Sequence, residues 1–94
     1  MKVFVIGSVN QDSKFIKEVA DRYKIFGHEV DCVTPEPEKS FNELVWQAFD
    51  KIKVADVVLV VPKHDGSLGH GTIYEMAFAE EMGKTVELYI RDRG

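Results

Sequence analysis

The run VVLVV at residues 57–61 restricts the fold more than any other stretch of the chain. Five consecutive aliphatic residues show no polar alternation. A strand built from them must therefore be covered on both faces, as the inner strands of a parallel sheet are. KVFVI (2–6), ended by Gly7, is a second short run rich in β-branched and aromatic residues, and HEVDCV (28–33) and TVELYI (85–90) complete four strands. Between them the apolar spacing changes to that of helices. Phe15, Ile16, Val19, Ala20, Tyr23 and Phe26 form one stripe over 12–26, stopped by Gly27. Phe41, Leu44, Val45, Ala48, Phe49 and Ile52 form another over 40–53, after a loop, TPEPEKS, that holds two prolines. A third helix spans roughly 72–82 and stops at Gly83.

The order βαβαβαβ with short connections predicts an α/β fold with helices on both faces of a parallel four-stranded sheet. Right-handed crossovers favour strand order 2-1-3-4, a small flavodoxin-like three-layer sandwich. A chain of 94 residues has room for one core, so 1–94 reads as a single domain.

Charge and cysteine content narrow the partners. The net charge is −4 and the lysines and arginines are scattered, which argues against a nucleic acid polymer and leaves a small anion open. Val3–Ile6 and Val57–Val61, the longest apolar runs, are strand-length, so no membrane span is expected. No export leader is apparent, and the lone Cys32 suits a reducing compartment; the expectation is a cytoplasmic protein. His28, His64, His70 and Cys32 lack metal-ligand spacing, so neither a metal nor a cofactor is expected.

In such sheets ligands sit beyond the carboxyl ends of the strands, where the winding reverses. Here that lies between Gly7-Ser8 and the loop after Val61, which contains Asp65, Gly66, Ser67, Leu68, Gly69, His70 and Gly71. The glycines let a ligand approach the backbone, yet the spacing is neither a Walker sequence nor a dinucleotide fingerprint. Glu75 projects from the apolar side of the third helix. A carboxylate there costs several kcal/mol unless it is hydrogen-bonded or opens into a pocket. The ordinary alternative is a glutamate near the helix start that complements the dipole. Ser8 offers a hydroxyl and neighbouring amides to a phosphate or sugar, or simply closes a strand-end turn. Trp46 falls off the inward stripe of its helix, where it serves a subunit contact or is a partly covered surface residue.

VFVIGS (3–8), ADVVLVV (55–61) and SLGHGTIYEMAFAEEMGK (67–84) together resemble the nucleoside 2-deoxyribosyltransferase family and its nucleotide N-hydrolase relatives. The resemblance follows the element order from Lys2 to about Ile90 and is sharpest over 55–84. It implies cleavage of the N-glycosidic bond of a nucleoside or its monophosphate, with Glu75 as nucleophile. Gly7, Ser8, Asp65, Ser67, Gly69 and Gly71 would line the substrate site. It also implies a homodimer, since relatives complete their sites across an interface. Three features depart from the family pattern. Phe4 stands where a tyrosine is usual, and Ala48 stands where an aspartate is usual, with Asp50 about 200° round the same helix. The chain also stops at Gly94, short of the C-terminal region through which the transferases complete a neighbouring site. Phe4 and Ala48 suit a second reading, a non-catalytic nucleotide-binding module. Trp46 and the small size suit a third, a pure interaction domain.

Overall fold

The computed structural model describes residues 1–90. Its elements are β1 (Lys2–Gly7), α1 (Val9–Ile25), β2 (Glu29–Cys32), α2 (Phe41–Val54), β3 (Val57–Val61), α3 (His70–Glu81) and β4 (Thr85–Leu88). The strands form one parallel sheet in the order β2-β1-β3-β4, as the sequence predicts.

All five residues of β3 are buried, because alternate side chains feed two separate cores. Val57, Leu59 and Val61 pack with Val3 and Val5 against Ile16, Val19 and Ala20 of α1. Val58 and Val60 pack with Phe4 and Ile6 on the other face, against Ala48 and Ile52 of α2 and Ala79 of α3. The missing alternation in VVLVV is thus the mark of a strand with helices on both sides.

Helix boundaries differ from the sequence reading for local reasons. Helix α1 begins at Val9, not Asp12. Its first turn, Val9-Asn10-Gln11, carries no apolar period, and Asp12 leaves helical geometry at φ −129° and ψ 22°. Phe26 belongs to no inward stripe: the helix has ended at Ile25, Gly27 follows at φ +89°, and the phenyl ring is 79% exposed. Helix α2 is capped by Ser40, whose hydroxyl accepts from the Glu43 amide at 3.2 Å, half of a capping box. Its first residue, Phe41, is more than half exposed although the periodicity places it inward. Helix α3 starts two residues earlier than expected, at His70, with Gly69 as its cap, which places Glu75 in the second turn.

Gly7 and Val61 are paired at the carboxyl ends of β1 and β3. A β-carbon on Gly7 would stand 2.9 Å from Ile16 Cδ1 and 3.0 Å from the Val61 carbonyl oxygen. A larger residue here would displace the Ile16 side chain and press on the Val61 carbonyl, so glycine favours the close approach of α1 and β3 at the edge of the cleft. No helix among the described residues is long and apolar enough to cross a membrane.

Candidate active site

A cavity of about 870 Å³ opens beyond the carboxyl ends of β2, β1 and β3, within the size range of ligand pockets. Gly7, Ser8, Gly69, Gly71 and Glu75 line it, so the winding reversal gathers most of the residues singled out in the sequence. Phe4 and Ala48 line it too, both almost fully buried.

Glu75 is 7% exposed and faces the cavity from α3, on the same side as the buried Thr72 and Ala79. Among the described residues nothing donates a hydrogen bond to its carboxyl. Burial without compensation pushes its pKa up from 4.5 to about 8. The group is therefore mostly neutral at pH 7 in the empty cavity. It ionises when a positive charge develops beside it or when the pH rises. Gly71, one turn earlier, keeps this part of the cavity open: a β-carbon there would lie 3.3 Å from Phe41 Cε2 and 4.0 Å from Glu75 Oε2.

The opposite end is built from two helix starts. Ser8 makes no side-chain capping bond and Gly69 has no side chain to make one, which leaves the Val9 and Asn10 amides of α1 and the first amides of α3 without a capping partner among the described residues, while the Gln11 amide donates to the Ser8 carbonyl at 3.1 Å. The two caps touch: a β-carbon on Gly69 would meet Ser8 Oγ at 2.7 Å and Lys63 Cε at 3.9 Å. The Ser8 hydroxyl, Lys63 and the start of α3 converge here beside the first turn of α1, an arrangement suited to an anion. Sequence reasoning passed over Lys63, although its place two residues beyond β3 satisfies the carboxyl-end rule.

Asp65 and Ser67 do not line the cavity. They are exposed, and Asp65 Oδ1 accepts from the Ser67 amide at 2.9 Å and the Ser67 hydroxyl at 2.6 Å. Those bonds hold the Asp65 carboxyl below the usual carboxylate range. The turn is closed by Gly66, at φ +84°, whose amide donates to the Lys63 carbonyl at 2.9 Å.

The β2 side supplies a mixed polar rim. Lys51 donates to Asp31, and Cys32, half-buried, lies beside them on the cavity wall. Gln47, with its amide turned to satisfy its neighbours, donates to Glu36 at 2.7 Å and accepts from Lys39. Asp50 reaches the rim, but its side chain is 77% exposed and pairs with Lys53 at 3.7 Å. It does not replace a carboxylate at Ala48. No group of three or more metal-binding side chains occurs among the described residues.

Pocket walls continue onto the outer surface. Phe41 and Val45 line both the cavity and a second, apolar groove between α2 and α3, which also takes in Trp46, Phe49, Tyr74 and Phe78. Trp46 is 65% exposed and meets Phe49 edge-on at 5.6 Å, while Phe49 stacks on Phe78 at 4.1 Å.

No family model matches the sequence, and no curated protein sequence matches it. Solved structures do. The CMP N-glycosidase BcmB of Clostridium botulinum is 26% identical, with a TM-score of 0.69 over 94% of this chain and 67% of that one. The 2-deoxyribosyltransferase of Leishmania mexicana is 15% identical, with a TM-score of 0.73 over 97% of this chain and 65% of that one. At 15% identity the second likeness is one of fold. This chain spans about two thirds of the length of either protein.

Proposed function

We propose that this chain cleaves the N-glycosidic bond of a nucleoside or nucleoside monophosphate, or transfers the glycosyl group between bases, with Glu75 as nucleophile. The observation that carries this reading is a buried carboxyl without a hydrogen-bond donor, facing a ligand-sized cavity at the winding reversal. The fold shared with an N-glycosidase and a deoxyribosyltransferase supports it.

In the reaction, a Glu75 carboxylate oxygen attacks the anomeric carbon as the carbon–nitrogen bond breaks, and the base leaves with the bonding pair. The carboxyl first loses its proton to solvent, and positive charge developing on the sugar then favours the ionised form that burial suppresses. Water or a second base then attacks the same carbon, breaking the ester and returning the carboxylate. Ser8, Lys63 and the amides at the starts of α1 and α3 hold the 5′-phosphate of a monophosphate. Phe4 and Ala48 present apolar surface, so the departing base takes its proton from solvent.

The chain works as a homodimer. Phe41, Trp46 and Tyr74 are each more than half exposed on the α2–α3 groove. Aromatic residues that bury ~150–250 Å² each leave roughly 300–400 Å² of apolar surface uncovered, about half of one partner's share of a standard interface. The groove also continues the cavity wall, so a second copy seated on it closes the site.

Chromatographic detection of free base from a panel of nucleosides and monophosphates, with and without an acceptor base, tests the reading. Base release abolished in Glu75→Ala supports it, and exchanged products distinguish transferase from hydrolase. Retained turnover in Glu75→Ala overturns it. Buried Phe4 and Ala48 favour one second reading, a nucleotide-binding module without turnover, which predicts affinity for a ligand that is recovered intact.

A further inference from the structure

Phe41 occupies a place that the reaction scheme leaves unexplained. It opens α2, is 51% exposed, and separates the cavity from the outer groove. Its ring meets Tyr74 of α3 edge-on, with centroids 6.3 Å apart and planes inclined at 68°. Both the Phe41 ring edge and Glu75 Oε2 lie within 4.0 Å of the point where a Gly71 side chain would begin. The missing side chain at Gly71 thus leaves a gap flanked by the Phe41 ring and by the Glu75 carboxyl. Tyr74, one residue before Glu75 on α3, holds the ring there.

We propose that Phe41 is a positioning residue for Glu75, the apolar wall that keeps water from the outward side of its carboxyl. Other groups on the cavity carry charge but are placed elsewhere. Asp31 and Cys32 come from β2, Glu36, Asp50 and Lys51 from the α2 side, and Lys63 and His70 from the β3–α3 connection. Asp31 is paired with Lys51, and Asp50 with Lys53. Burial, and no charged neighbour, is the resolved cause of the raised Glu75 value. The Phe41 ring is the apolar group beside the Gly71 position. The effect on rate rests on the reading of Glu75 as nucleophile, whereas the effect on the carboxyl does not.

The test titrates Glu75 without turnover. Unfolding free energy is measured against pH for the wild type, Phe41→Ala, Phe41→Gln and Phe41→Leu, each with and without Glu75→Gln, so that the difference reports the carboxyl alone. The folded-state midpoint, read as the pH at which the falling profile levels off, is near pH 8 in the wild type. Phe41→Ala and Phe41→Gln lower it by at least about one unit because water reaches the carboxyl, and Phe41→Leu, which keeps an apolar cover, leaves it in place. Phe41→Gln keeps the readout if Phe41→Ala does not fold. An unchanged midpoint in the polar or truncated variants overturns the inference, as does a Phe41→Leu shift as large as theirs. Base release by the wild type with no midpoint shift would remove this role and leave the proposed function standing. A shift with no base release from any substrate would do the reverse.

Discussion

Ser8 and Gly69 cap two helices that start from opposite sides of the winding reversal, and they touch: a methyl group on Gly69 would overlap the Ser8 hydroxyl at 2.7 Å. The contact brings the start of α3 beside the first turn of α1, neither with a side-chain cap, and Lys63 alongside. A single small anion can therefore complete both helix ends together, which neither helix does for itself.

The first prediction follows from that junction. Lys63→Ala removes one charge-assisted contact, worth about 1.5–3 kcal/mol, so KM for a nucleoside monophosphate rises at least tenfold. For the matching nucleoside it changes by less than about twofold, because uniform binding is lost only where the phosphate exists. Gly69→Ala pushes the Ser8 hydroxyl out of its place, by rotation of that side chain, and weakens binding of the same substrate selectively. Equal losses for both substrates would place the phosphate elsewhere.

Stability should carry the signature of Glu75 independently of any reaction. Its folded pKa, about 8, lies above its ordinary 4.5, so between these values the folded protein holds a proton that the unfolded chain has released. Stability from this group is complete below about pH 4.5 and is lost as pH rises through about 8. At ~1.4 kcal/mol per unit the gap is worth on the order of 5 kcal/mol. Glu75→Gln, which resembles the neutral acid, should match the wild type near pH 5 and melt more than about 10 °C higher at pH 9. Equal melting temperatures at pH 9 would mean that the carboxyl is solvated.

The same ionisation sets the direction of the pH–rate profile. With Glu75 as the proposed nucleophile the carboxyl must be ionised, so kcat/KM rises with pH, is half-maximal near pH 8 and levels off about a unit higher. A carboxylic acid that donated its proton to the leaving base would give the opposite slope. Steady-state rates between pH 5.5 and 9.5 distinguish the two roles.

How much of this was legible in the sequence depends on how local each cause is. The uninterrupted VVLVV implied helices on both faces, and the strand order followed from short right-handed crossovers. Glu75 stood out because a carboxylate broke the apolar side of a helix. Asp65 and Ser67 read as ligand residues, but they bond each other through Asp65 Oδ1 and lie outside the cavity lining, and an Asp-x-Ser spacing allows either outcome. Lys63 and Phe41 gave no such signal. A lysine after a strand and an aromatic on a helical stripe are ordinary in sequence, and their places on the cavity come from how the loop and α2 pack against α3. Phe26 misled for a simpler reason: the apolar period outlasted the helix by one residue.

Ala48 offers a gain-of-function test. It is 3% exposed and lines the same cavity as Glu75, so Ala48→Asp adds a second carboxyl there, which on the proposed reaction can protonate a leaving base. General acid assistance typically contributes 10²–10⁴-fold, and a gain of about tenfold or more in kcat is expected even with imperfect geometry. The variant should also lose ~1–3 kcal/mol of stability, since a polar group enters an apolar wall. If the wild type only binds nucleotides, base release should appear in Ala48→Asp alone. A variant that folds, binds and gains nothing would show that proton delivery is not what limits this site.

The α2–α3 groove makes the last prediction. Trp46 and Tyr74 project from neighbouring helices onto a surface that runs into the cavity through Phe41 and Val45. Sedimentation equilibrium at tens of micromolar should give a dimer for the wild type and a monomer for Trp46→Lys, which sets a charge at the centre of the apolar patch. Trp46 does not line the cavity, so any loss of activity in that variant reports the missing partner rather than a damaged pocket. If dimer and activity fall together, and both return when high protein concentration restores association, the second copy completes the site. A wild type that stays monomeric while releasing base would show instead that one sheet and three helices hold the whole reaction, and that the groove serves something other than self-association.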